Sequence, residues 1–231
     1  RLGHIGKHRL LELAKAGLLK YSWEELKYDP FEGSDCHVCH AWKTVRPPKN
    51  NDARRAKDDI ELIHVDITGP FDPSNRGHEF PAVIADDRTN TVAAVPMTNK
   101  SEILEVLKRV VALWERQFGK SVKIIRSDGE PSLKGKSAES WYRQLGIIHQ
   151  VSPRYTPELN GKAERTIRTI KDGIKSMIND SRLGHPYWDY AAQYTAVVIN
   201  KTTLDQSGVS NWEKVTGRKA GISTIRKFGE Y

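Results

Sequence analysis

The chain has 231 residues, and 38% of them are hydrophobic, which is enough for a folded core and excludes a disordered tail. No apolar run is long enough to cross a bilayer, so we expect no membrane partner. The net charge of +8 favours a polyanionic partner such as nucleic acid, although a merely soluble basic domain explains the charge equally well. The two cysteines, Cys36 and Cys39, are too few and too close for a disulfide framework and indicate metal or redox chemistry.

Residues 1–45 predict a small helical zinc-binding module. Residues 10–20 have the apolar spacing of a helix. A His-x3-His and a Cys-x2-Cys pair lie 27 residues apart, formed by His4, His8, Cys36 and Cys39. Two imidazoles and two thiolates suit a closed tetrahedral Zn²⁺ site, which would hold together a segment too small to fold alone. The alternative is that the two cysteines are reduced and bind no metal, with the histidines at the surface. A redox-active Cys-x2-Cys motif is disfavoured because the sequence around it lacks a βαβ pattern.

A basic linker is predicted over residues 46–58, where Pro47-Pro48 lies among lysines and arginines. Residues 59–200 predict an α/β domain with five strands, at Ile60–Ile67, Phe80–Asp86, Thr91–Met97, Val122–Arg126 and Ile147–Val151. The turn-like residues 87–90 join the second and third strands into a hairpin.

Four helices are predicted between and after these strands, at Ser101–Phe118, 137–145, Lys162–Asn179 and Tyr187–Asn200. Ser101 is the predicted N-cap of the first helix, and Gly119 is its predicted end. Because of its prolines and glycine, residues 152–161 are predicted to be a loop. The order of elements predicts a mixed five-stranded sheet flanked by helices, with residues 201–231 as a C-terminal extension.

Three acidic residues occupy positions typical of a metal-dependent active site. Asp66 lies inside the first strand, Asp128 follows the fourth, and Glu164 lies one turn into the long helix. Strand ends and an adjacent helix start can converge, and three carboxylates together would repel one another unless cations bind. Two Mg²⁺ or Mn²⁺ ions in such a site support phosphoryl transfer.

Simpler explanations exist for each acidic residue. An aspartate at a strand end is often solvated or a cap, and Glu164 in a first helical turn also interacts favourably with the helix dipole. Asp86, Asp87 and Glu130 are rival acids.

The spacing and flanking residues resemble the DDE motif of retroviral and retrotransposon integrases. Sixty-one residues separate Asp66 from Asp128, and thirty-five separate Asp128 from Glu164. The flanking segments, Val65-Asp66-Ile67-Thr68-Gly69-Pro70, Ser127-Asp128-Gly129-Glu130 and Asn160-Gly161-x-Ala163-Glu164-Arg165, agree with it. The chain's end, from Trp212 to Gly229, looks like the segment that follows the core in copia-type elements.

This resemblance implies a ribonuclease-H-like catalytic core and a DDE polynucleotidyl transferase with endonuclease activity. Its reactions would be 3′-end processing and strand transfer of retrotransposon DNA into target DNA. Since no small β-barrel of the retroviral kind is visible, we expect residues 201–231 to begin a C-terminal region that is missing here. The alternatives are a domesticated or inactive integrase-like DNA-binding protein and a ribonuclease-H-like nuclease that hydrolyses without joining.

The resemblance also bears on the zinc ligands and on contacts with DNA. In copia-type proteins a Gly-His pair, here Gly3-His4, usually supplies the second histidine, which would leave His8 without a role as a ligand. Basic residues follow Glu164 at helical spacing, and the expected DNA contacts are Asn160, Arg168, Lys171 and Lys175. The alternative for these is a solvated basic face.

The resemblance implies double-stranded DNA partners, both element ends and target. We expect a homo-oligomer, at least a dimer and a tetramer on DNA, and a chromatin or host tethering factor as a further partner. The expected location is the nucleus, after passage through cytoplasmic virus-like particles.

Overall fold

The computed structural model describes residues 7–20, 56–152 and 157–230. Its centre is a five-stranded sheet in the order β3-β2-β1-β4-β5. The strands are β1 (Leu62–Ile67), β2 (Phe80–Asp86), β3 (Val92–Met97), β4 (Ile124–Ser127) and β5 (Ile148–Val151). The first three are antiparallel neighbours, whereas β4 lies parallel to β1, and β5 lies parallel to β4. The predicted mixed five-stranded sheet and its hairpin are therefore confirmed.

Helices pack on both faces of this sheet. In chain order the α-helices of the described ranges are α1 (Lys7–Lys15), α2 (Ile103–Phe118), α3 (Lys136–Leu145), α4 (Pro157–Ser181), α5 (Trp188–Thr202) and α6 (Asn211–Thr216). Gly119 ends α2 in the left-handed conformation with φ +63°, as predicted, because glycine adopts this conformation without steric cost. No helix in the described ranges is long and apolar enough to cross a bilayer.

Three predicted helix boundaries were wrong. Helix α4 begins at Pro157 rather than Lys162, because proline is tolerated in a first turn and only blocks a helix further inside. Ser101 is not the N-cap of α2, because it lies within a 3₁₀ turn (Lys100–Glu102) that leads into the helix; Asn99 caps this turn, and the Glu102 side chain accepts from the Asn99 N–H at 2.9 Å in a capping box. Helix α1 covers residues 7–15 instead of 10–20, since Gly17 leaves the helical conformation with φ +69°.

Two hydrophobic cores lie on opposite faces of the sheet. Strand alternation sends Ile63 and Val65 of β1 to the first core, with α2 and α3. Val83 of β2 faces the second core, where it packs with Ile170 of α4 and Trp188 of α5. The segment after α6 contributes Ala220, Ile222 and Ile225 to the second core, so this part of the chain packs onto the sheet domain. The even-numbered positions of β1, His64 and Asp66, consequently face α4.

Candidate active site

Asp66 and Asp128 lie at the carboxyl ends of two adjacent parallel strands. Val65 of β1 pairs in register with Ser127 of β4, so the residues that follow them, Asp66 and Asp128, are neighbours at one edge of the sheet. Asp66 is partly buried, and its Oδ1 accepts a hydrogen bond from the Ile67 N–H at 2.7 Å. Asp128 is exposed. The topology thus brings together two carboxylates that are 62 positions apart in sequence.

A tight turn holds Asp128 at the end of β4. Its Oδ1 accepts from the Glu130 N–H at 3.3 Å, and Gly129 between them has φ +96°. A side chain at position 129 would also meet Val151 of β5 at 3.1 Å. Glycine is therefore required here both by the backbone conformation and by the space available.

Helix α4 brings Glu164 to the same edge. It packs across β1 and β2, and Glu164 is exposed on its surface. Burial, together with the negative charges of Asp128 and Glu164, raises the pKa of Asp66 to about 7, although the hydrogen bond from the Ile67 N–H and the charge of Lys171 oppose the rise. The charges of Asp128, Glu164 and Lys171 are thus close enough to act on the Asp66 carboxyl.

The donor set fits a divalent metal ion. Three carboxylates offer hard oxygen ligands, and a cation would compensate the repulsion that disfavours ionised Asp66. Within the described ranges no three acidic, histidine or cysteine side chains already stand at metal-binding distances, so the three carboxylates interact through charge rather than as a closed ligand set. Asp66, Asp128 and Glu164 are the residues that would hold such an ion.

Three basic residues follow Glu164 on one side of α4. Arg168 and Lys175 are exposed and Lys171 is half-buried. At 100° per residue all of them lie within about 60° of one another around the helix axis, and we call this set the Glu164 stripe: Glu164, Arg168, Lys171 and Lys175. Positive charges therefore lie beside the carboxylates, as a phosphate-bearing substrate would require.

The rival acids Asp86 and Asp87 belong to a buried structural network under the β2–β3 turn. Asp86 is fully buried and accepts from the N–H groups of Ile60 and Thr89. Asp87 Oδ1 lies 3.1 Å from His64 Nε2. Burial alone would raise the pKa of Asp87, but the hydrogen bonds from His64 and Ala56 and the charge of Lys162 hold it well below its ordinary value. These two acids are committed to the fold.

The sequence interpretation missed Lys162, which connects this network to α4. Its side chain is 9% exposed, donates to the Asp87 backbone carbonyl and lies 4.0 Å from Asp87 Oδ1. Lys162 lies two residues before Glu164 in α4, so its contact with Asp87 attaches this part of the helix to the sheet. A lysine among other basic residues gives no local signal that its side chain is buried. Only the helical spacing of Lys162 relative to the apolar stripe of α4 could have suggested its burial.

The other predicted ligands and contacts lie wholly or partly outside the described residues. His4, Cys36 and Cys39 lie outside the described residues. His8 falls in α1 and Asn160 in the first turn of α4, where the backbone but not their side chains is described. The zinc site therefore stays a prediction.

Relatives by sequence are retrotransposon polyproteins, although no family model matches the chain. It is 27% identical over 231 residues to the Retrovirus-related Pol polyprotein from transposon TNT 1-94 of Nicotiana tabacum, covering 99% of this chain and 17% of that protein. The Pol polyprotein from transposon RE1 of Arabidopsis thaliana is 26% identical over 84% of this chain and 13% of its own length. The Ty1-DR4 Gag-Pol polyprotein of Saccharomyces cerevisiae is 23% identical over 96% of this chain and 15% of its own length. The chain thus spans less than a fifth of these relatives.

Solved structures that align with this chain include retroviral integrase assemblies and cores. The simian T-cell lymphotropic virus intasome in complex with PP2A regulatory subunit B56 gamma aligns with a TM-score of 0.61 at 19% identity, covering 99% of this chain and 75% of that one. The HTLV-2 integrase catalytic core domain in complex with magnesium aligns with a TM-score of 0.55 at 16% identity, covering 70% of this chain and 99% of that one. The chain is therefore related in sequence to retroelement Pol polyproteins, and it has the fold of an integrase catalytic core, in agreement with the resemblance of its motifs.

Proposed function

We propose that this chain catalyses 3′-end processing of retrotransposon DNA and its strand transfer into target DNA, with Asp66, Asp128 and Glu164 as the catalytic carboxylates. The observation that carries the proposal is the meeting of Asp66 and Asp128 at the ends of two parallel strands, next to the helix that bears Glu164. The relationship to retrotransposon Pol polyproteins and the integrase fold support the same activity.

The three carboxylates would hold Mg²⁺ or Mn²⁺. When bound, two such ions would activate the attacking oxygen and stabilise the leaving oxygen of the phosphodiester. The Ile67 N–H fixes the Asp66 carboxylate by its hydrogen bond to Oδ1, and the turn at Gly129 orients Asp128. The magnesium complex of the HTLV-2 core supports the choice of metal.

Basic residues of the Glu164 stripe would bind the phosphates of the DNA end. Arg168 and Lys175 are exposed, and the charge of Lys171 reaches Asp66. Phosphate groups held there would lie beside the carboxylates, which is where the scissile bond must be placed. Asn160, one turn before Glu164, would contact the terminal bases.

The assembly proposal has three parts. A Zn²⁺ ion would hold the N-terminal segment through His4, Cys36 and Cys39, with His8 as the candidate fourth ligand. Integration joins two DNA ends to one target, so we expect at least a dimer and a tetramer on DNA, and the HTLV-2 core has been solved in dimeric and trimeric forms. A host or chromatin tethering factor would be a further partner. The protein would act in the nucleus, after passage through cytoplasmic virus-like particles.

One assay tests the activity. The full chain is incubated with Mg²⁺, a blunt duplex ending in the element's terminal sequence, and a supercoiled target plasmid. We expect shortened 3′ ends and plasmid joined to the duplex, and neither product with Glu164→Gln. Shortened ends without joined products would indicate a nuclease instead. Duplex binding with neither product would indicate a DNA-binding protein that lacks catalysis.

A further inference from the structure

A cavity of about 260 Å³ lies between α1 and the sheet domain. Its wall is formed by one residue of α1, the β2–β3 turn, a face of α4, the end of α5 and the first residue of α6. The lining residues with polar side chains that matter here are Arg9, Lys162, Arg165, Thr166, Thr169 and Asn211. Arg9 is placed there because Leu13, one turn later on α1, is fully buried.

This cavity is separate from the carboxylate centre. Four of its residues come from α4: Lys162, Arg165, Thr166 and Thr169. At 100° per residue their centre lies about 140° around the helix from the centre of the Glu164 stripe. The apolar residues Ile170 and Ile174 occupy the remaining side, which faces the second core. A ligand in the cavity would therefore not touch Glu164.

The cavity is positively charged. Arg9, Lys162 and Arg165 line it, and no carboxylate belongs to the lining that the structure describes. Lys162 donates to the Asp87 carbonyl and is partly compensated by the Asp87 carboxylate. Among the described residues, the guanidinium groups of Arg9 and Arg165 have no hydrogen-bond or ion-pair partner. Two guanidinium groups with unused donors beside one cavity favour an anion, and phosphate matches their geometry.

Hydrogen-bond acceptors also face this space. The Thr166 and Thr169 hydroxyls donate to the carbonyls of Lys162 and Arg165, at 2.9 and 3.0 Å. Their protons are thereby used, and only the acceptor side of each oxygen is left for a ligand. Asn211 is 1% exposed, and its Oδ1 accepts no hydrogen bond from the described residues. The cavity thus combines donors for an anion with acceptors for hydroxyl groups.

We propose that this cavity binds a small organic phosphate that carries free hydroxyl groups, such as a ribonucleoside monophosphate. Arg9 and Arg165 hold the phosphate, and the threonine oxygens accept from the sugar hydroxyls. The backbone of duplex DNA offers phosphates but no hydroxyl donors, so it satisfies only half of this site. The volume lies just below the ~300–1,000 Å³ typical of ligand pockets, which restricts the ligand to a small molecule.

Isothermal titration calorimetry of the full chain with adenosine 5′-monophosphate tests the proposal. We expect binding that weakens about tenfold in Arg9→Gln and in Arg165→Gln, because each variant removes one charge-assisted contact. Arg109→Gln, which removes an exposed charge from α2, should leave the affinity unchanged. The 2′,3′-dideoxy nucleotide should bind more weakly than the ribonucleotide, and Thr169→Val should reduce this difference.

Two results would overturn the proposal. One is the absence of nucleotide binding, or equal affinity in the wild type, both glutamine variants and the Arg109 control. The other is a loss of duplex DNA affinity in Arg9→Gln and Arg165→Gln with nucleotide affinity unchanged, since the cavity would then be a contact for the DNA backbone. Melting curves of all variants verify that each is folded. The proposal does not depend on integrase activity, so Glu164→Gln should bind the nucleotide normally.

Discussion

The Lys162 ammonium donates a hydrogen bond to the backbone carbonyl of Asp87 and so links α4 to the β2–β3 turn. Both side chains are almost fully buried. A buried carboxylate that loses its cationic neighbour is costly, so we expect Lys162→Met to lower the free energy of unfolding by about 3 kcal/mol. Lys162→Arg keeps the charge and should lose less. Urea denaturation measures the stability of both variants, and Lys219→Met, at an exposed position, is the control. Equal stability of Lys162→Met and the wild type would show that the contact between Lys162 and Asp87 does not stabilise the fold.

Amide replacements test the three carboxylates. Asp66→Asn, Asp128→Asn and Glu164→Gln should each reduce end processing and joining by about 1,000-fold or more, because the metal ions they would hold contribute several kcal/mol to catalysis. Circular dichroism should be unchanged. Glu130→Gln, two residues after Asp128, is the matched control and should remain active. Near-normal strand transfer by any of the three variants would refute the assignment.

Salt dependence tests the DNA contacts of the Glu164 stripe. Arg168→Ala with Lys171→Ala should weaken binding of element-end DNA and reduce the slope of log K against log [salt] by about 2, because two fewer counterions are released. The fold should persist, since Ile170 and Ile174 are untouched. The control pair is Arg218→Ala with Lys219→Ala, which removes the same charge from an exposed segment. Unchanged affinity and slope in the first pair would exclude this face from DNA binding.

Asp189 should make stability depend on pH. Its buried carboxylate binds the loop between β1 and β2 through three groups, Ser74 Oγ at 2.9 Å, Arg76 Nε at 2.7 Å and His78 Nδ1 at 2.8 Å. Burial opposes ionisation, but these hydrogen bonds hold the pKa of Asp189 below its ordinary value. The stabilisation is therefore present above the ordinary pKa of about 4 and is lost as the pH falls through the lowered folded value.

Asp189→Asn should accordingly lower the free energy of unfolding by about 2 kcal/mol at pH 7. The difference in this free energy between the variant and the wild type should become smaller below about pH 4. Urea denaturation at a series of pH values measures this difference. Asp72→Asn is the control, because that carboxylate is 91% exposed. A difference that is constant from pH 7 to pH 3 would contradict the linkage.

Metal analysis tests the zinc module. One Zn²⁺ per chain should copurify, and chelation should unfold residues 1–45 while the sheet domain stays folded, because the binding free energy of zinc would belong to that module. Cys36→Ser should lose the metal. His8→Ala distinguishes the two histidine assignments, since zinc is retained if His8 is not a ligand. Active protein without zinc would refute the site.

The sheet could be predicted from sequence because its signals are local. The turn-like residues 87–90 marked the end of β2, whose predicted range Phe80–Asp86 is the observed one. The flanking motifs indicated the three acidic residues, two of which are made neighbours by the parallel pairing of β1 and β4. The start of α4 could not be predicted, since Pro157 favours a loop and an N-terminal turn equally. The network around Lys162 was also beyond prediction, because its partners His64 and Asp87 come from distant segments and each has an unremarkable local pattern.

Helix α4 presents three sides, one toward the second core, one carrying the Glu164 stripe and one lining the cavity. An insertion of a single residue between Glu164 and Ile170 would rotate everything after it by about 100°. Ile170 and Ile174 would then leave the core, and Lys171 would leave the neighbourhood of Asp66. The spacing of residues within this part of the helix is therefore fixed. Among homologous elements, gaps in an alignment should be absent between Glu164 and Met177.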